Sequence, residues 1–64
     1  MYTIESVKQD LPAVKIRING KIVEGSVKGR KNRFATVRYE NYQWDFAWET
    51  IVRALNNDTP LRVD

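Results

Sequence analysis

The sequence predicts a mainly β domain: a small antiparallel five-stranded barrel with one short C-terminal helix, formed as a single domain by residues 1–64. Three observations predict it. Two segments of alternating apolar and polar residues each surround a two-residue turn, which is typical of β-hairpins. The apolar residues change to helical spacing from Trp48 onward. Sixty-four residues provide only one small core, and closing the sheet into a barrel protects the strand edges of so short a chain.

The first hairpin is predicted around Asn19 and Gly20, because both residue types tolerate the positive φ of a type I′ turn. A two-residue turn there places Ile16 opposite Val23 on an apolar face. A glycine inside a strand often marks a bulge or a sharp bend, which we expect at Gly25. The opposite face of this hairpin then carries Lys15, Arg17, Ile22, Glu24, Ser26 and Lys28.

The second hairpin is predicted around residues 40–41. A two-residue turn there pairs Val37 with Trp44 and leaves Arg38 and Asp45 as diagonal neighbours of opposite charge. We expect the aromatic residues on the apolar face to fill the core, because so small a domain needs large side chains. These core aromatics are Tyr39, Tyr42, Trp44 and Phe46.

The two ends of the chain complete the prediction. A helical stripe begins at Trp48, with Asp45 or the residues just after it as the cap, and Pro60 lies beyond its end. We expect a short closing strand at residues 61–63 and a weaker first strand at residues 2–7. No apolar run approaches the length of a membrane span, and the chain begins without the pattern of a signal peptide. We therefore expect a complete, soluble, cytoplasmic polypeptide without a membrane partner.

Residues 13–63 resemble the SH3-like small-barrel superfold, in particular its chromo-like and retroviral-integrase C-terminal type. The resemblance rests on the segment Gly25-Ser26-Val27-Lys28-Gly29-Arg30 as a bent strand that leads into a basic loop, on Ala35-Thr36-Val37-Arg38-Tyr39, and on Trp48 at the start of the helix. The chain is also similar in length and in its basic hairpins to the archaeal seven-kilodalton chromatin proteins, which are richer in lysine. These resemblances imply a barrel fold, and such folds carry many functions.

Charge is divided unevenly along the chain. The net charge is only +3, yet residues 13–38 hold eight cations and one anion, whereas the remaining residues hold three cations and seven anions. A protein with regions of opposite sign can be steered toward a polyanion along one face. The densest group is the segment 28–33, with four cations in six residues.

These charges predict a nucleic-acid-binding face, with double-stranded DNA as the first candidate partner and contacts mainly to phosphates. Arg30 and Arg33 are the candidates to reach a groove. Phe34, beside the cations, is a candidate either to stack on or wedge between bases or to pack over the end of the barrel. The alternative is a solvated loop whose charges only maintain solubility. The candidate binding residues are Lys15, Arg17, Lys28, Arg30, Lys31, Arg33, Phe34 and Arg38.

Other functional classes have less support in the sequence. The chain contains no cysteine and no histidine, which removes thiol nucleophiles, imidazole chemistry and the usual zinc sites. Asp45 and Glu49 are better explained as an ion-pair partner and a helix-start anion than as catalytic carboxylates, so we expect neither an enzyme nor a cofactor. Two alternatives to nucleic-acid binding stay open: a protein-interaction module or small inhibitor, and self-association as a homodimer through an open sheet edge at residues 61–63.

Overall fold

A computed structural model describes residues 1–63, and Asp64 lies outside the described part of the chain. The elements in chain order are α1 (Ile4–Asp10), β1 (Val14–Ile18), β2 (Lys21–Arg30), β3 (Phe34–Tyr39), β4 (Tyr42–Ala47), α2 (Trp48–Asn57) and β5 (Leu61–Arg62). The predicted mainly β fold is confirmed, since the five strands form one curled sheet that makes a half-barrel. The strand order is β4-β3-β2-β1-β5, which leaves β4 and β5 at the two edges.

Both hairpins have the predicted register. Asn19 and Gly20 have φ angles of 50° and 80°, as the predicted turn requires, and Ile16 lies opposite Val23. In the second hairpin Val37 lies opposite Trp44 and Tyr39 opposite Tyr42. Alternation and turn chemistry were therefore sufficient to align β1 with β2 and β3 with β4.

The long strand β2 connects the two halves of the sheet. Its residues 21–25 pair with β1 and its residues 26–30 pair with β3, so the change of partner follows Gly25. The β2–β3 register shifts between Val27 and Gly29, which makes Lys28 the extra residue of a β-bulge. The expected bulge thus lies three residues beyond Gly25, at the first residue of the basic segment 28–33.

The prediction of a first strand at residues 2–7 is wrong. Residues 4–10 form α1, because the Thr3 hydroxyl accepts a hydrogen bond from the Ser6 amide at 3.1 Å and the Ser6 hydroxyl accepts one from the Thr3 amide at 2.9 Å. This reciprocal cap begins a helix whose residue Val7 is fully buried. α1 therefore contributes to the core as a helix, and the sheet gains no strand from this end.

The closing strand is confirmed at Leu61–Arg62, but it runs parallel to β1. The sheet is therefore not wholly antiparallel. β5 follows α2 in the chain and is not joined to β1 by a hairpin turn, which leaves a parallel pairing open to it. α2 begins and ends where the sequence predicts, although its N-cap is Ala47 and no side chain caps it.

The core lies between the concave face of the sheet and the two helices. Tyr39 and Phe46 are buried as predicted, and Trp48 at the start of α2 is buried as well. The prediction that Tyr42 and Trp44 are core residues is wrong, because they are 64% and 56% exposed. They point to the same side as Phe46, but β4 is an edge strand and α2 starts at its far end. The other core side chains are Val7, Val14, Ile16, Val27, Ala35, Val37, Ile51, Ala54 and Leu61.

Candidate functional site

The basic segment is held at one end of the sheet by hydrogen bonds to its backbone. The amide of Lys31 donates to the Phe34 carbonyl at 2.9 Å, which closes a tight turn. The indole Nε1 of Trp48 donates to the Lys31 carbonyl at 2.9 Å, and the Trp48 amide donates to the Arg33 carbonyl at 3.3 Å. Because Trp48 is itself buried, the turn is fixed to the core although its side chains are exposed.

The four cations of this segment are all exposed, but they do not share one direction. Arg30 lies opposite the buried Ala35, so it projects from the concave side of the sheet, where its Nη1 donates to the Lys8 carbonyl at 3.1 Å. Lys31 donates to the Asp45 carboxylate at 3.1 Å. We call the group Lys28, Arg30, Lys31 and Arg33 the loop cluster.

Asp45 lowers the positive charge beside the loop cluster. Its carboxylate accepts the Thr36 hydroxyl at 2.6 Å in addition to the Lys31 ammonium. The hydrogen bond from Thr36, and then that from Lys31, holds the pKa of Asp45 below its ordinary value of 3.8. Arg38 and Asp45 are diagonal neighbours as predicted, but the predicted pairing between them is wrong, because the oxygens of Asp45 bind Thr36 and Lys31 instead.

The remaining candidate cations lie on the outer face of the sheet, away from the loop cluster. Arg38 lies on β3 between its strand neighbours Ser26 and Gln43. Lys15 lies opposite Glu24 and 3.6 Å from the Asp58 carboxylate, so acidic groups flank it. Glu24 is four residues before Lys28 and six before the end of β2, which places Lys15 about 13 to 20 Å from the members of the loop cluster along the strand direction.

Arg17, the next outward residue of β1, lies opposite the apolar Ile22. Arg17 lies farther from the end of β2 than Lys15 does, because its strand partner Ile22 lies two residues nearer the first turn than Glu24. The structure thus brings together the loop cluster and Phe34 and leaves Lys15 and Arg17 on another part of the surface. Arg38 lies between these two groups.

Phe34 lies at the edge of a cleft between α1, the basic turn and the start of α2. It is 48% exposed, on the outer face as predicted. The ammonium of Lys8 lies 5.3 Å from the centre of the Trp48 ring, a cation–π contact that brings a further cation to this cleft. The cleft has a volume of about 520 Å³ and is lined by Ile4, Lys8, Asn32, Arg33, Phe34, Ala47, Trp48 and Glu49.

Lys8 was not predicted to belong to this site, because residues 2–7 were expected to be a strand. The signal that could have placed it was present in the sequence. Thr3 and Ser6 have the spacing of a helix cap, and Ile4, Val7 and Leu11 follow at helical intervals. A helix starting at Ile4 carries Lys8 one turn later, on the side that contacts α2.

No protein-family model, curated protein or solved structure matches this chain in the comparisons made. No helix within residues 1–63 has the length and apolar character needed to cross a membrane.

Proposed function

We propose that this protein binds nucleic acid, with double-stranded DNA as its ligand, through phosphate contacts from the loop cluster. The observation that carries the proposal is a set of exposed cations on a turn whose carbonyls are bonded to the buried Trp48. A fixed backbone reduces the entropy lost when the turn meets a ligand. The half-barrel with its bent β2 also supports an SH3-like interpretation of the fold, although that likeness by itself assigns no activity.

Phosphate binding explains why the cations lie together without burial. Lysine and arginine side chains that contact the DNA backbone release condensed counterions, and this release drives binding without reading sequence. The uneven charge of the chain orients the basic end toward the polyanion. Three such contacts give a salt slope of about −2.7, so affinity is expected to fall about 40-fold between 50 mM and 200 mM salt.

Arg33 and Phe34 are the residues that would contact the grooves and the bases in addition to the phosphates. They lie together at the cleft, whereas Arg30 is engaged with the Lys8 carbonyl. An arginine can enter a groove, and a half-exposed phenylalanine ring can stack on an accessible base. Lys8, at the opposite wall of the cleft, supplies a further cation for the same strand.

The test is a titration of the ¹⁵N-labelled protein with a 16-base-pair duplex at 50 mM and 200 mM salt. We expect chemical-shift changes centred on residues 28–34 and a much weaker affinity at the higher salt concentration. The double variant Lys28→Ala/Arg33→Ala leaves the Lys31–Asp45 and Arg30–Lys8 contacts in place. We expect it to reduce affinity at least tenfold and to reduce the salt slope by about 2.

The matched control is Arg53→Ala/Arg62→Ala, which removes the same total charge from two exposed positions outside the loop cluster. Equal losses in the two double variants would mean that only net charge matters, and would contradict a site at the loop cluster. Affinity that does not change with salt would contradict phosphate binding itself. Recovery of one stoichiometric protein from a nuclease-treated extract, with no duplex binding, would favour the protein-interaction alternative.

A further inference from the structure

The edge strand β4 presents an unprotected, aromatic surface. It is six residues long and lies at the end of the sheet, whereas the opposite edge strand β5 has only two residues. Edge strands are usually blocked by proline, lysine or a bulge, and β4 contains neither proline nor lysine and has a continuous register with β3. Its exposed Tyr42 and Trp44 project from the same side of the sheet.

The hairpin register determines which backbone groups of β4 face outward. Tyr39 and Tyr42 flank a two-residue turn, so they form a hydrogen-bonded pair, and the same holds at every second residue of β4. Tyr42, Trp44 and Phe46 therefore bond to β3. The amides and carbonyls of Gln43 and Asp45 point away from the sheet.

We propose that β4 pairs antiparallel with β4 of a second copy of this chain, about a twofold axis that passes through Trp44. In this register Gln43 of one copy lies opposite Asp45 of the other. These are the residues with outward backbone groups, so each such pair makes two backbone hydrogen bonds. The five-stranded half-barrels then join into one ten-stranded sheet.

In this register the side chains of β4 in one copy are complementary to those of β4 in the other copy. Asp45 is the one charged residue of the strand, and it meets the Gln43 amide, which can donate to its carboxylate. A register shifted by one position, with the axis at Asp45, would set two carboxylates opposite each other. Because the same strand supplies both the donor and the acceptor, a second copy fits this edge with no charge left opposite a like charge.

The twofold arrangement also covers the exposed aromatic side chains of β4. The two Trp44 residues occupy a pair without direct hydrogen bonds, where opposite Cα atoms are only about 4.5 Å apart and side chains pack closely. Tyr42 of each copy lies opposite Phe46 of the other. Both exposed aromatic residues of β4 would therefore be covered by one contact.

The first test measures self-association of the full chain by sedimentation velocity over a range of concentrations. We expect a reversible dimer, together with protection of the Gln43 and Asp45 amides from hydrogen exchange that rises with concentration. Trp44→Lys places a charge on the edge and is expected to abolish both. Ile22→Lys is the matched control: Ile22 is 60% exposed on an interior strand, and this variant should still dimerise.

A second test uses the absence of cysteine from the chain. Under mild oxidation Trp44→Cys is expected to form a disulfide-linked dimer, because residues on the axis lie within disulfide distance. Gln43→Cys should not, because the two copies of position 43 are about 8 Å apart in this register, beyond the reach of a disulfide.

Three results would overturn the proposal. The first is a monomer at millimolar concentration with fast exchange at Gln43 and Asp45. The second is a dimer in which these two amides stay unprotected, which would assign the contact to another surface. The third is more efficient cross-linking of Gln43→Cys than of Trp44→Cys, which would exclude the register.

Discussion

Gly25 lies where the two halves of the sheet meet, and the close packing of these halves depends on it. A Cβ atom at this position would lie 2.6 Å from Cδ1 of Ile16 and 2.8 Å from Cγ1 of Val37. These side chains come from β1 and β3, the two strands that β2 joins. Glycine is therefore required here for close approach of neighbouring side chains, since the residue is not among those with positive φ.

We expect Gly25→Ala to lower the free energy of unfolding by about 1–3 kcal/mol, the usual cost of overpacking a small core. Ser26→Ala is the control, because Ser26 is the next residue and is exposed, and its replacement should change stability by less than about 0.5 kcal/mol. Urea denaturation of both variants gives the comparison. Equal stability of Gly25→Ala and the parent protein would show that Ile16 and Val37 move aside freely.

The misprediction of Tyr42 and Trp44 as core residues has one cause. Alternation correctly placed Tyr42 and Trp44 on the side of the sheet that faces the core. It could not show that β4 is an edge strand, because edge position depends on the order of all strands and on where α2 packs. Burial is a property of the assembled sheet, whereas side-chain direction is local.

Among the secondary-structure elements, local sequence determines the two hairpins, whereas α1 depends on the assembled fold. A two-residue turn with alternating flanks carries its own register, so both hairpins were predictable. α1 has only seven residues, too few for a helix to be stable by itself, and its β-branched residues Ile4 and Val7 favour strand. Its helical state depends on the Thr3 cap and on the burial of Val7 against the rest of the core.

The basic site was predictable in part. The run of cations at residues 28–33 is visible in the sequence, and the structure exposes all four. The bulge at Lys28 and the contact between Arg30 and α1 depend on the fold, and they determine which cations share a direction. Lys8 belongs to the same cleft only because α1 is a helix.

We expect the side-chain cap of α1 to contribute measurably to the free energy of unfolding. Thr3→Ala removes the acceptor for the Ser6 amide and should lower the free energy of unfolding by about 1 kcal/mol. Hydrogen exchange in residues 4–10 should increase more than exchange in the strands, because α1 is the element directly affected. Thr3→Ser retains the hydroxyl and should restore most of the loss, whereas equal losses in the two variants would contradict a role for the cap.

A second set of contacts fixes α1 to the rest of the molecule. The Tyr2 amide donates to Asn56 Oδ1 at 2.6 Å, and Asn56 Nδ2 donates to the Tyr2 carbonyl at 3.0 Å. This reciprocal pair joins the chain before α1 to the last turn of α2. The two helices therefore close the concave side of the half-barrel together.

In the whole molecule, Trp48 connects the core, the two helices and the basic turn. Its ring is buried, Lys8 of α1 lies over it, and its indole nitrogen holds the Lys31 carbonyl. A domain of this size buries only a small core with which to support a binding loop. The order of the loop cluster is therefore expected to depend on one core residue.

Trp48→Phe tests this dependence. The variant keeps an aromatic ring but loses the bond from Nε1 to the Lys31 carbonyl, so we expect faster amide exchange at Lys31 and weaker duplex binding, together with a loss of about 1–3 kcal/mol in stability. Ile51→Val is the control, because Ile51 is fully buried on the same helix and its truncation costs about 0.5–1.5 kcal/mol. If exchange at Lys31 followed only global stability in both variants, the turn would be ordered independently of Trp48. We expect amide exchange at Lys31 in Trp48→Phe to increase by more than its loss of stability explains, because only that variant removes a contact that the turn itself makes.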